Sequence, residues 1–162
     1  MALPPRFDIR ATIQPGSVYY FHDSNLTSPD PHYFIVLNTS PQTDRVLLLV
    51  CSSSQLQTVR KRRAMRPETI VEISPREYHD FTKDSIVDCN TVFERSIREL
   101  QQKYDSGQLR VKAVIAPGVL EKLRDSVLES DMVDGEVQDM LILQARLDNI
   151  TSRQISYDIK AR

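Results

Sequence analysis

Tryptophan is absent from this 162-residue chain, cysteine occurs twice, histidine three times and glycine four times. So few glycines leave no room for a glycine-rich phosphate loop, which needs several side-chain-free positions within a few residues. Cys51 and Cys89 each lie inside an apolar run. Two such cysteines make no disulfide framework and read as reduced, buried thiols. The His, Cys and Asp spacings match no zinc or calcium pattern, so neither a metal nor another cofactor is expected. No apolar run approaches the roughly 20 residues that span a bilayer. The start, Met1-Ala2-Leu3-Pro4-Pro5-Arg6, lacks the apolar core of a signal peptide. The expectation is a soluble cytoplasmic protein without a membrane partner. Neither sign of charge dominates, with 21 Lys and Arg against 22 Asp and Glu and a net charge of -1. A globally basic nucleic-acid binder is excluded, and any such role must rest on a local patch.

What is present is a series of β-rich runs. Pro15-Gly16 signals a turn before the strand 18–21, and the polar segment 22–31 reads as a loop. Residues 33–37 form a nearly continuous apolar strand, 38–44 carry hairpin residues, and 46–50 pair back antiparallel. The last run leads straight into Ser52-Ser53-Ser54. This organisation predicts a small curled β-barrel with polar side chains at one mouth. Further on, 69–73 alternates like a half-exposed strand. Ser74-Pro75-Arg76-Glu77 has capping-box spacing and predicts a short helix through Tyr78 and Phe81. Residues 84–93 predict one more strand.

Helices then dominate. Ser96-Ile97-Arg98-Glu99 repeats the capping box, and Gly107 is placed to end that helix. Pro117 opens another, with Leu120, Leu123, Val127 and Leu128 at helical spacing. A terminal helix, roughly 135–150, carries Val137, Met140, Leu141 and Leu147. Strands first and helices last predict an α+β fold. The expected organisation is an N-terminal arm (1–14), a barrel domain with appended helices (15–130) and a C-terminal helical extension (131–162).

The order of these elements resembles the MazF/PemK (Kid-like) toxin family, as a divergent PemK-like member. Pro15-Gly16-Ser17-Val18-Tyr19-Tyr20 is similar to that family's opening strand, and Pro31-His32-Tyr33-Phe34-Ile35-Val36-Leu37-Asn38 to its second. Val50-Cys51-Ser52-Ser53-Ser54 stands where the family has a strand ending in Thr-Ser, and Lys83-Asp84-Ser85-Ile86-Val87-Asp88-Cys89-Asn90 resembles its "S-x-V-D-C" strand. The resemblance implies an SH3-like barrel and the toxin component of a type II toxin–antitoxin pair, a metal-independent endoribonuclease cutting single-stranded RNA. Its implied partners are a cognate antitoxin, single-stranded RNA and a second copy of the chain. Two positions depart from the pattern: Asp30-Pro31 stands where the family has arginine before proline, and Ser17 where aspartate is usual. A second reading therefore stays open, a catalytically inactive barrel acting as an RNA- or protein-binding module.

Metal-free RNA cleavage needs a base for the 2′-hydroxyl, donors or a cation for the charged phosphorane, and an acid for the leaving oxygen. His22 follows the first strand and His32 opens the second, so a barrel brings both to one mouth. Histidine suits either proton transfer near neutral pH. The plain alternative is two loop histidines. Ser53 and Ser54 are the candidate phosphate donors, against the alternative of a polar strand end. Arg60, Lys61, Arg62 and Arg63 form the dense basic patch, suited to RNA phosphates or, alternatively, to a solvated loop or an acidic partner. Asp88 reads as a structural carboxylate bonding nearby amides, and Cys89 as core.

Overall fold

The run Leu47-Leu48-Leu49-Val50 has no polar face because its strand is covered on both sides, and all four side chains are fully buried. The computed structural model describes residues 6–160. Its strands are β1 (Val18–Phe21), β2 (His32–Val36), β3 (Leu47–Ser53), β4 (Ile70–Ile73), β5 (Ser85–Asp88), β6 (Phe93–Arg95) and β7 (Leu109–Lys112). Its α-helices are α1 (Leu56–Arg62), α2 (Ile97–Asp105), α3 (Pro117–Leu128) and α4 (Gly135–Lys160). Short 3₁₀ helices occupy Ile9–Thr12 and Pro67–Thr69.

The fold is α+β, with one seven-stranded sheet in the order β4-β5-β3-β2-β1-β7 and β6 added alongside β3. Every pairing is antiparallel. Among the described residues β4 and β7 remain the ends of this path, so the sheet does not close into the expected barrel. β3 carries the bend. Along one side Leu47–Leu49 pair with β6 and Ser52–Ser53 with β5, while Leu49–Cys51 pair with β2 on the other.

Side chains alternate across a strand, so the two faces build separate cores. Val18, Ile35, Leu48, Val50 and Val87 join Leu120, Leu123 and Val127 of α3 and Val137 and Leu141 of α4. Tyr19, Phe21, Phe34, Val36, Leu47, Leu49 and Phe93 meet Leu100 of α2 with Ile9 and Ile13. The segment read as an arm therefore packs onto the sheet at residues 9 and 13.

Several expectations change. β3 continues through Ser53, so two of the three serines are ladder residues with partners on β5. Residues 84–93 hold two strands, not one. The chain turns between them, where Cys89 N–H donates to Thr69 O (2.9 Å) and the Asn90 amide to Thr69 Oγ1 (2.8 Å). Residues 74–81 form turns and no helix, although Glu77 Oε2 does accept from Ser74 N–H (2.9 Å) as a capping box requires. Burial of Tyr78 and Phe81 and the Tyr78 hydroxyl's bond to Ala113 O (2.7 Å) hold that compact path instead.

Further along, the basic segment at 60 ends α1, and β7 falls within the stretch read as helical. β7 is stabilised as a strand by the free edge of β1, which Leu109 joins with its side chain buried. The Ser96 cap is as expected, its hydroxyl accepting from Glu99 N–H (3.1 Å), and Gly107 takes φ +75 just beyond α2. Leu128 is 37% exposed, unlike the other expected α3 core positions. α4 runs on to Lys160, and the side chain of Leu147 lies outside the described residues.

Gly16 is the turn residue the β1 entrance depends on. Its φ is +83, and a Cβ there would lie 3.1 Å from Ile115 Cγ2 and 3.2 Å from Ile115 O. Gly16→Ala is expected to lose about 1–2 kcal/mol through the left-handed backbone alone, more with the crowding. Gly118→Ala, where nothing lies within 4 Å, is expected to lose nothing. Urea unfolding of both variants checks the contrast.

Candidate functional site

The bend in β3 and the start of β2 leave a groove of about 1090 Å³ at one end of the sheet. β2 supplies His32 and Tyr33, the end of β3 supplies Cys51 to Ser53, and Ser54 and Gln55 follow. The loop before β2, the segment around Lys83, β5 and the β5–β6 turn complete the walls.

His32 is half-buried, and its Nδ1 lies 2.8 Å from the Asp30 carbonyl oxygen. A carbonyl only accepts, so Nδ1 is the donor in this contact, and in the neutral ring Nε2 is the accepting nitrogen. Ser53 Oγ accepts from Gln55 N–H (3.1 Å). That bond uses a lone pair and leaves the hydroxyl proton to donate into the groove. Ser54 is exposed beside it, and Ser52 is buried.

Of the four basic candidates only Arg62 lines the groove, together with Gln55 and Val59. Positions 55, 59 and 62 share one helix face, whereas consecutive residues fan round the axis. A run of four cations on a helix therefore cannot address one site. Arg60 pairs with Glu72, and Arg63 Nε reaches Asp88 Oδ2 at 3.0 Å. Arg62 lies 3.8 Å from the same carboxylate with its side chain 54% exposed, and Arg66 pairs with Glu68 and Asp131. Lys61 is exposed and makes no ion pair among the described residues. His22 is exposed and does not line the groove; its carbonyl accepts from Lys103 Nζ (3.3 Å).

Asp88 faces the groove and also orders its own turn, accepting from Asn90 N–H (3.1 Å). Cys51 is a groove residue, but burial pushes its thiol up to about 12, with the nearby Asp23 charge adding to the effect. Cys89 is raised to about 12 by burial first and Asp88 second. Neither is a thiolate at neutral pH, so neither is a nucleophile there. Folded protein is expected to resist alkylation by iodoacetamide at neutral pH, with both thiols reacting once urea unfolds it; mass spectrometry reads the difference.

The sequence reading missed several contributors. Tyr20 and Tyr33 pair across β1 and β2, with ring centroids 4.7 Å apart, and both line the groove. Strand register brings them together, and no local motif marks it. Lys83 adds a groove cation, and Arg95 another that is held by Asp23. Among the described residues no group of three or more His, Cys, Asp or Glu side chains is gathered to hold a metal ion. No described helix is long and apolar enough to cross a membrane.

No protein-family model matches the chain, and no curated protein matches it.

Proposed function

We infer that the chain is a MazF/PemK-like toxin built on an open, SH3-related antiparallel sheet, cutting single-stranded RNA without a metal in this groove. The observation that supports it is the company His32 keeps: one groove takes in its ring, Ser53, Ser54 and Arg62. In this reading His32 Nε2 accepts the 2′-hydroxyl proton and the 2′-oxygen attacks phosphorus. The bond to the 5′-oxygen breaks, leaving a 2′,3′-cyclic phosphate and a 5′-hydroxyl that takes its proton from the imidazolium. The Ser53 and Ser54 hydroxyls and the Arg62 guanidinium offset the charge on the phosphorane. A cognate antitoxin, a second copy and a cytoplasmic location belong to the same proposal.

A second reading, a non-catalytic RNA- or protein-binding module, is favoured by one feature. Asp30 stands at the position of the family's arginine, and Arg60 and Arg63 are committed to Glu72 and Asp88. Incubating the purified protein with a mixed-sequence RNA in excess EDTA separates the two. Discrete cuts ending in cyclic phosphate support the ribonuclease. Intact RNA that nevertheless binds with salt-sensitive affinity supports the module. Intact RNA without binding overturns any RNA role for the groove.

A further inference from the structure

The proposed chemistry uses the polar side of the groove and leaves its aromatic side unexplained. Tyr20 and Tyr33 are directly opposed on β1 and β2, both half-buried, their rings inclined at 45°. Tyr33 is fixed by its neighbours: its hydroxyl donates to Asp80 O (3.1 Å), and Phe81, also a groove residue, meets it edge-on at 5.0 Å. Lys112 Nζ lies 5.5 Å from the Tyr20 centroid and 5.9 Å from that of Tyr33. Lys112 does not itself line the groove, whereas both rings do. The ammonium thus lies over both rings and holds the pair together.

We propose that the Tyr20–Tyr33 pair is a stacking platform for a base of single-stranded RNA, next to the nucleotide whose phosphate sits by His32. This rests on the RNA reading above and extends it to the part of the substrate that is gripped. His32 and Tyr33 are consecutive, so they take opposite sides of the start of β2, and the groove embraces both. A strand crossing that point leaves its sugar-phosphate at His32, Ser53 and Arg62 and turns its neighbouring base toward the rings. Every base has a π-face, so the platform gives grip with little sequence preference. The groove's cations Arg62, Lys83 and Arg95 are balanced in number by Asp30, Asp88 and Glu94, so a phosphate there is met by the local contacts of Arg62 and Lys83 and not by a net positive field. Pre-set rings also cost less ordering on binding than free ones.

The probe is a short fluorescein-labelled 2′-O-methyl RNA, which cannot undergo 2′-hydroxyl attack, followed by anisotropy with the full chain. Tyr20→Leu is expected to weaken its binding about fivefold to 150-fold, the range of one base stack, while Tyr20→Phe stays within about twofold of wild type. Circular dichroism establishes that both variants are folded. A second measurement needs no variant: replacing single bases of the probe by abasic spacers is expected to cost wild-type protein a similar factor at one position. That spacer is expected to cost Tyr20→Leu nothing further. Wild-type binding with no spacer penalty, or a folded Tyr20→Leu that binds as tightly as wild type, overturns the platform and leaves the RNA site standing. No binding of the probe to wild type overturns both.

Discussion

Replacing His32 by alanine is expected, under the proposed ribonuclease activity, to slow RNA cleavage in EDTA about 10²- to 10⁴-fold, the usual contribution of a positioned acid–base group, with the fold unaltered. The ring is half-buried and has one hydrogen bond, to the carbonyl of Asp30 two residues back. Its loss therefore opens no core cavity and strands no buried partner. In the proposed mechanism the large effect comes from the tautomer, in which Nδ1 is held by the Asp30 carbonyl and Nε2 is the base, and no other histidine lines the groove. His22→Ala is expected to stay within a factor of two, because that side chain lies outside the groove. Initial rates on a labelled oligonucleotide, with thermal melts of each variant, check both statements. A larger loss in His22→Ala than in His32→Ala would falsify the assignment of the groove as the reaction site.

Arg95→Met is expected to destabilise the fold by about 3–5 kcal/mol, because it leaves a buried carboxylate without its counter-ion. Asp23 is 2% exposed and takes both forks of Arg95, at 2.9 Å from Nε and 2.8 Å from Nη2. The pair ties the loop that walls the groove to β6, and Asn25 N–H donates to the same carboxylate (2.9 Å). Burial by itself raises the Asp23 pKa; the Arg95 hydrogen bonds, the Asn25 amide and the charges of Arg95 and Lys103 together bring it below the ordinary value.

A folded-state value below the unfolded one makes this contribution complete above the unfolded value of about 3.9, and it is lost as pH falls through the folded value. In Arg95→Met both lowering contributions of Arg95 are lost, so the folded value rises above that of the wild type. The deficit of the variant is then largest near neutral pH and shrinks as Asp23 takes up a proton in mildly acidic solution. Urea unfolding of both proteins at neutral pH and at a pH just above the unfolded value measures this. A deficit that grows on acidification would contradict the ionised, Arg95-held state of Asp23.

These two residues differ in how visible they were before the fold was known. His32 stands out in sequence because histidine is rare and it opens a β-run beside turn residues. Arg95 and Asp23 carry no local signal, since they are separated by 72 positions and meet only when β6 is laid against β3. Tyr20 and Tyr33 are conspicuous as aromatics, but their opposition depends on the β1–β2 register. The basic run 60–63 shows the converse. It is the densest charge cluster in the chain, yet one of its members faces the groove, because a helix distributes consecutive side chains around its axis.

Secondary structure follows the same division. β1, β2, β4, α2 and α3 were legible from alternation, caps and a proline at the helix start, all of which act within a few residues. α1 and β7 were not. β7 has only one buried side chain, Leu109, and its strand conformation is sustained by hydrogen bonds to β1. The capping box at Ser74 formed its hydrogen bond without a helix, because burying Tyr78 and Phe81 outweighs a local propensity of under about 1 kcal/mol per residue.

By itself, then, the sequence determined the α+β class, the placing of β1, β2, β4, α2 and α3, and the presence of His32 and the serines at strand ends. Only the tertiary structure decided that the sheet stays open, that β3 bends between two partners, and that His32, Ser53, Arg62 and two tyrosines share one groove. Local patterning reports which face of an element is apolar. Which elements lie side by side depends on burial and backbone pairing between residues far apart in the chain, and no short stretch of sequence encodes that.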